Sequence, residues 1–219
     1  EQIKADAWRY LLDVGHFTRT NTMKKGKILS LFAKAVAYID KKKVGKSAQF
    51  GRVFQLGRIK GNFLFVLRST SVLMNDKLSL RLLLAEHQRL FGKGVLHSIA
   101  TDKGYWSGKN RKAINETSGI QENGLQHPAN IKNRKGLPSQ EIQEQLKSRR
   151  AGIEPLIGHV KQGGKLGRSR MKSDTATLAA GYASILGFNL RQMIRKQGQV
   201  MKKAASRGRK ISGLNCLRS

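Results

Sequence analysis

The stretch KSRRAGIEPLIGHVK (147–161) decides how the chain is read. Wound as a helix at about 100° per residue, it places Arg150, Glu154 and Lys161 on one stripe about 40° wide. Ile153, Leu156, Ile157 and Val160 fill the adjoining face and give the helix a surface to bury. A carboxylate with an arginine one turn before it and a lysine two turns after it suits an anionic, metal-bridged ligand. The Glu holds a divalent cation, while the two cationic groups meet phosphate oxygens. The alternative is an ordinary amphipathic helix whose polar stripe carries an i,i+4 Arg–Glu pair.

Upstream of that stretch, VLHSIAT (95–101) reads as a short buried strand ending at Asp102. A carboxylate just past the C-terminal end of a strand stands where open α/β sheets gather their chemistry, although such an Asp is equally a helix cap. Two further strands are expected at Phe50–Leu56 and Asn62–Leu67, joined by a Gly57–Gly61 turn. Asn75–Asp76 caps a helix running to about Leu90, with Leu78, Leu82, Leu83, Ala85 and Leu90 inward. Residues 28–39 are apolar enough to be buried as helix or strand. Residues 3–17 show helical spacing at Ile3, Ala7, Tyr10, Leu11 and Val14. The polar segment 115–139 reads as a loop around one short strand near Leu125–Ile131. GGKLGRSRMK (163–172) is a basic loop, and 175–196 is a strongly helical, mostly buried segment. The last residues, 199–219, carry cations and small side chains and are expected to form a basic disordered tail.

Charge narrows the function. Among 219 residues, 43 Lys+Arg face 13 Asp+Glu, a net charge of +30 at pH 7. Such a surplus repels itself unless a polyanion neutralises it, so nucleic acid is the expected partner. No membrane partner is expected, since no apolar run nears the roughly 18 residues that span a bilayer. EQIKADAWRYLLD opens with charge and is not a signal peptide. The single Cys216 leaves no intramolecular disulfide and no cysteine zinc site, which fits a reducing, intracellular compartment. The five histidines (16, 87, 97, 127 and 159) show no zinc spacing.

Several strings carry a resemblance. DKGYWSGKN (102–110) resembles the second-acid motif of DDE-type insertion-sequence transposases, and RRAGIEPLIGHVK (149–161) resembles their third-acid helix. GRSRMK (167–172), AAGYASILGFNLRQMIR (179–195) and KKKVGKSAQFG (41–51) are similar to the flanking segments of the same proteins. The resemblance runs from about residue 40 to about residue 196. It implies an α/β fold, an incomplete ribonuclease-H-like mixed sheet flanked by helices. The expected division is an N-terminal helical segment (1–40), a partial catalytic domain (41–198) and the basic tail (199–219).

By the same resemblance, Asp102 and Glu154 are the second and third catalytic acids and metal ligands. Arg150 and Lys161 position substrate phosphates, and Lys46, Arg168, Arg170 and Lys172 contact the DNA backbone. In that family two Mg²⁺ ions activate water or a 3′-hydroxyl for attack on a DNA phosphodiester, chemistry that hard carboxylate ligands suit. The implied partners are transposon ends and target DNA, with a homodimer as the working unit. The implied location is the bacterial cytoplasm, on the nucleoid when DNA is bound. The family's first acid lies upstream of the matched region, and Asp13, Asp40 and Asp76 stand in no first-strand context. Lys147 stands where many relatives carry Tyr. The expectation is therefore a C-terminal portion with an incomplete triad, inactive by itself. The runner-up is a non-catalytic basic nucleic-acid-binding protein, and a third class is a basic RNA-associated structural protein.

Overall fold

The computed structural model describes residues 1–22, 24–31, 35–39, 49–67, 75–127, 139–164 and 166–215, with backbone alone at 39, 49 and 206–215. It is a mixed α/β chain whose described strands pair into three two-stranded sheets. In order these are α1 (Gln2–Thr20), β1 (Ala37–Ile39), β2 (Gln49–Gly51), β3 (Leu56–Ile59), β4 (Phe63–Val66), α2 (Asp76–Phe91) and β5 (Ser98–Ala100). A 3-10 turn (Lys103–Tyr105) leads into α3 (Gly108–Glu116), β6 (Glu122–Gly124), α4 (Gln140–Ala151), α5 (Ile153–Gly163) and α6 (Asp174–Asn215).

The first strand of the hairpin lies three to six residues later than the sequence suggests, while the second, β4, falls within the expected Asn62–Leu67. β3 pairs antiparallel with β4, Gly57 opposite Phe65, so Gly57 is a strand residue and not a turn residue. The Phe65 ring lies over it: a Cβ at Gly57 would stand 2.1 Å from a ring carbon. The turn falls at Lys60–Asn62, where Gly61 (φ 86°) and Asn62 (φ 63°) take the left-handed backbone that these two residue types tolerate. Phe50 instead belongs to β2, which pairs with β1 and makes the end of the 28–39 run a strand.

Among the described residues, two apolar clusters organise the rest. The first joins Leu64 of the hairpin to Leu156 and Val160 of α5 and to Ile185 and Phe188 of α6. Asn189 completes it by bonding both backbone groups of Leu64: the N–H donates to Oδ1 at 2.9 Å, and Nδ2 donates to the carbonyl at 2.7 Å. The second cluster is Leu80 and Leu84 of α2, Ile114 of α3 and Leu125, with Ile99, Tyr105 and Trp106 packed against it. Over this cluster β5 and β6 run parallel, Ser98 opposite Glu122, with α3 in the crossover that a parallel pair requires. An edge-to-face contact of Phe65 with His87, at 5.8 Å between centroids, joins the hairpin to α2.

Several expectations are corrected. The inward face of α2 is Ser79, Leu80, Leu83, Leu84 and His87, whereas Leu78, Leu82 and Leu90 are exposed. α1 exists, yet none of its residues is buried. The strand of the polar segment is β6 at 122–124, earlier than 125–131, whose residues from 128 on lie outside the described set. α6 continues past 196 to Asn215, into the stretch expected to be a disordered tail. No helix among the described residues is long and apolar enough to cross a membrane.

Candidate functional site at the seam between the two clusters

Asp102 follows β5 by two residues and is fixed by the string that runs on from it. Its Oδ1 accepts from the Lys103 N–H at 2.8 Å, which caps the 3-10 turn. Ser107 caps α3 by accepting from the Asn110 N–H. Asn110, wholly buried, donates from Nδ2 to the carbonyls of Tyr105 (2.7 Å) and Lys77 (2.8 Å), so one amide clamps the turn, α3 and the start of α2. The Tyr105 hydroxyl donates to Gln55 Oε1 at 2.9 Å, and Gln55 Nε2 donates to Asp76 Oδ1 at 3.3 Å. Burial first, then the nearby Asp76 carboxylate, pushes the Tyr105 phenol up to about 12, so it remains a neutral donor.

Glu154 stands on the other cluster. The expected single helix is two: α4 ends at Ala151 and α5 starts at Ile153, with Gly152 between. Pro155 explains the break, because its ring nitrogen cannot donate to the Ala151 carbonyl four residues back and its ring crowds that carbonyl. Gly152 is packed closely by Arg58, whose Nη1 would lie 2.1 Å from any Cβ placed there. That Nη1 donates to the Arg149 carbonyl at 2.9 Å, tying β3 to the last turn of α4. Arg149 in turn reaches Ser98 Oγ (3.0 Å) and Glu122 Oε2 (3.5 Å), one on each strand of the parallel pair.

The consequence is a junction at Arg150. Its Nη2 lies 3.4 Å from Asp102 Oδ2 and 3.4 Å from Glu154 Oε1. The two acids, far apart along the chain, are therefore within two such distances of each other and share one guanidinium. Arg150 is 29% exposed, while Asp102 and Glu154 are 61% and 69% exposed, so the carboxylates face solvent over a half-buried cation. The cap and the site are the same residue: one oxygen of Asp102 holds the turn and the other meets Arg150.

Lys161 lies in the last turn of α5, two turns beyond Glu154, and is exposed. Arg168, Arg170 and Lys172 are exposed on the segment between α5 and α6. Lys46 lies outside the described residues, as does Asp40. Two cationic residues that sequence reasoning passed over, Arg58 and Arg149, assemble the site. Both act across long sequence separations, which leave no local pattern; only the basic pair Arg149–Arg150 is visible.

Chemically, two solvent-facing carboxylates supply hard oxygen ligands of the kind one Mg²⁺ takes while keeping several waters. Among the described residues no three His, Cys, Asp or Glu side chains group as a metal site. Comparison with family models, with curated proteins and with solved structures finds no match to this chain.

Proposed function

We propose that the chain is a C-terminal portion of a DDE-type insertion-sequence transposase, with a partial ribonuclease-H-like catalytic domain that works on DNA. The observation that carries this reading is the meeting of Asp102 and Glu154 around Arg150, two acids brought from separate clusters to one solvent-facing point. Supporting it are the β5–α3–β6 crossover with Asp102 at the strand end, and a charge of +30 for a polyanionic partner.

In this reading Asp102 and Glu154 would hold Mg²⁺, which when bound stabilises charge on the oxygens of the phosphodiester. The chain's own contribution is positional. Asp102 is oriented by its cap, Glu154 by the start of α5, and Lys161, Arg168, Arg170 and Lys172 contact DNA phosphates without reading sequence. Lys46 is a further backbone contact. Transposon ends and target DNA are the substrates, a homodimer is the working unit, and the bacterial cytoplasm and nucleoid are the location. Among the described residues no third acid joins this pair, so in this reading ion binding would be weak and strand joining by this chain alone is not expected.

The test is duplex DNA binding at fixed ionic strength with and without Mg²⁺. Tighter binding with Mg²⁺ that disappears in Asp102→Ala and Glu154→Ala supports the reading. Any Mg²⁺-dependent nicking must vanish in the same variants. The second reading, a non-catalytic basic nucleic-acid-binding protein, is favoured by the Arg150–Glu154 pair acting as an ordinary i,i+4 contact. It is the outcome if binding falls steeply with salt but ignores both substitutions.

A further inference from the structure

We infer that Arg150 is a removable internal cation that couples divalent-ion binding to phosphate binding at this site. The inference rests on the reading above and goes beyond it by naming how the two ligands depend on each other. One nitrogen, Nη2, sits 3.4 Å from an oxygen of each acid, so the guanidinium occupies the position from which a shared ion would meet both. An ion bound there brings like charge against the guanidinium, and the two cannot hold the same oxygens together.

The backbone beneath Arg150 is not free to retreat. Arg58 holds the Arg149 carbonyl, and Arg149 holds Ser98 and Glu122, so α4 ends at a fixed point. What can move is the Arg150 side chain, by rotating away from the acids. Asp102 retains its cap bond through Oδ1, which leaves Oδ2 in place when the arginine leaves. Once released, the guanidinium is a planar donor fork suited to a phosphate. Ion binding therefore frees a phosphate ligand, and a phosphate that draws Arg150 outward opens the ion position. Linkage makes the two effects equal in size. Without DNA the acids are self-neutralised and take up divalent ions poorly.

The experiment uses Mn²⁺ as the probe, its free concentration read by electron paramagnetic resonance, with a short blunt DNA duplex as the phosphate source and DNA-only controls subtracted. For the unaltered chain, duplex tightens Mn²⁺ binding about tenfold, within the usual range of such couplings. Arg150→Gln binds Mn²⁺ tighter without DNA, and duplex no longer improves it. Lys147→Gln removes the same charge one turn away on α4 and leaves the coupling intact. Arg150→Met, which keeps part of the aliphatic stem, repeats the measurement should glutamine disturb the fold. Coupling unchanged in Arg150→Gln and Arg150→Met overturns this inference, while loss of Mn²⁺ binding in Glu154→Gln would still uphold the acid-pair reading. Mn²⁺ binding that ignores Glu154→Gln, or no binding by any form, overturns both.

Discussion

The two clusters hold their acids differently. Under Asp102 the packing is laced with polar ties: buried Asn110 and Ser79, the Tyr105–Gln55–Asp76 chain, and caps at Asp102 and Ser107. Under Glu154 it is aliphatic and aromatic, with Asn189 as a polar strut and Glu154 projecting from a helix start. Hydrogen bonds fix direction and apolar contacts do not, so Asp102 is aimed by its surroundings while Glu154 is placed by its helix and steered by Arg150. A site divided in this way has one stiff half and one adjustable half.

Ile114→Ala tests the stiff half most severely. Removing a fully buried side chain from the second cluster costs about 2–5 kcal/mol by urea unfolding. Hydrogen exchange should rise in 76–125 before it rises in 153–190; an equal rise in both would abolish the distinction between the clusters. Alkaline pH gives the next effect. The Tyr105 phenol is raised from 10 to about 12 in the fold, so its contribution, about 2–3 kcal/mol, is complete below pH 10 and lost as pH climbs through 12. Thermal midpoints of Tyr105→Phe should lack this loss; parallel curves for both proteins would contradict it. Asn189→Ala leaves the N–H and carbonyl of Leu64 unpartnered and costs about 1–3 kcal/mol, with exchange rising at the hairpin and not at Asp102. Smallest is Arg149→Gln, about 0.2–1 kcal/mol for a largely exposed pair. Under the proposed function the same variant also reduces the Mg²⁺ enhancement of duplex binding, because α4 loses its anchor on β5 and β6.

Much of this was legible in the residues. Asp102 and Glu154 stand out because a strand end and a helix face are periodic signals, and the structure sets both beside Arg150. Three features were not legible, each for a local reason. α3 buries Asn110 and Ile114, too few positions for an apolar stripe amid basic residues. Gly57 reads as a turn until the Phe65 ring is seen lying over it. The helix break at Gly152 follows from Pro155, whose effect the 100° periodicity of the flanking residues conceals. The arginines that close the seam depend on partners far along the chain, and no local window contains both ends of such a contact.

The order in which the clusters draw on the chain has a consequence for synthesis on the ribosome. The second cluster is contiguous, from Leu80 to Leu125, and can pack as soon as that span has emerged. The first unites the hairpin with α5 and α6 across that whole insertion, so the face of the hairpin around Leu64 is not fully covered until residue 188 is made. Slow elongation before α5 would prolong that wait, and nascent chains stalled there are the form most exposed to aggregation and most dependent on chaperones.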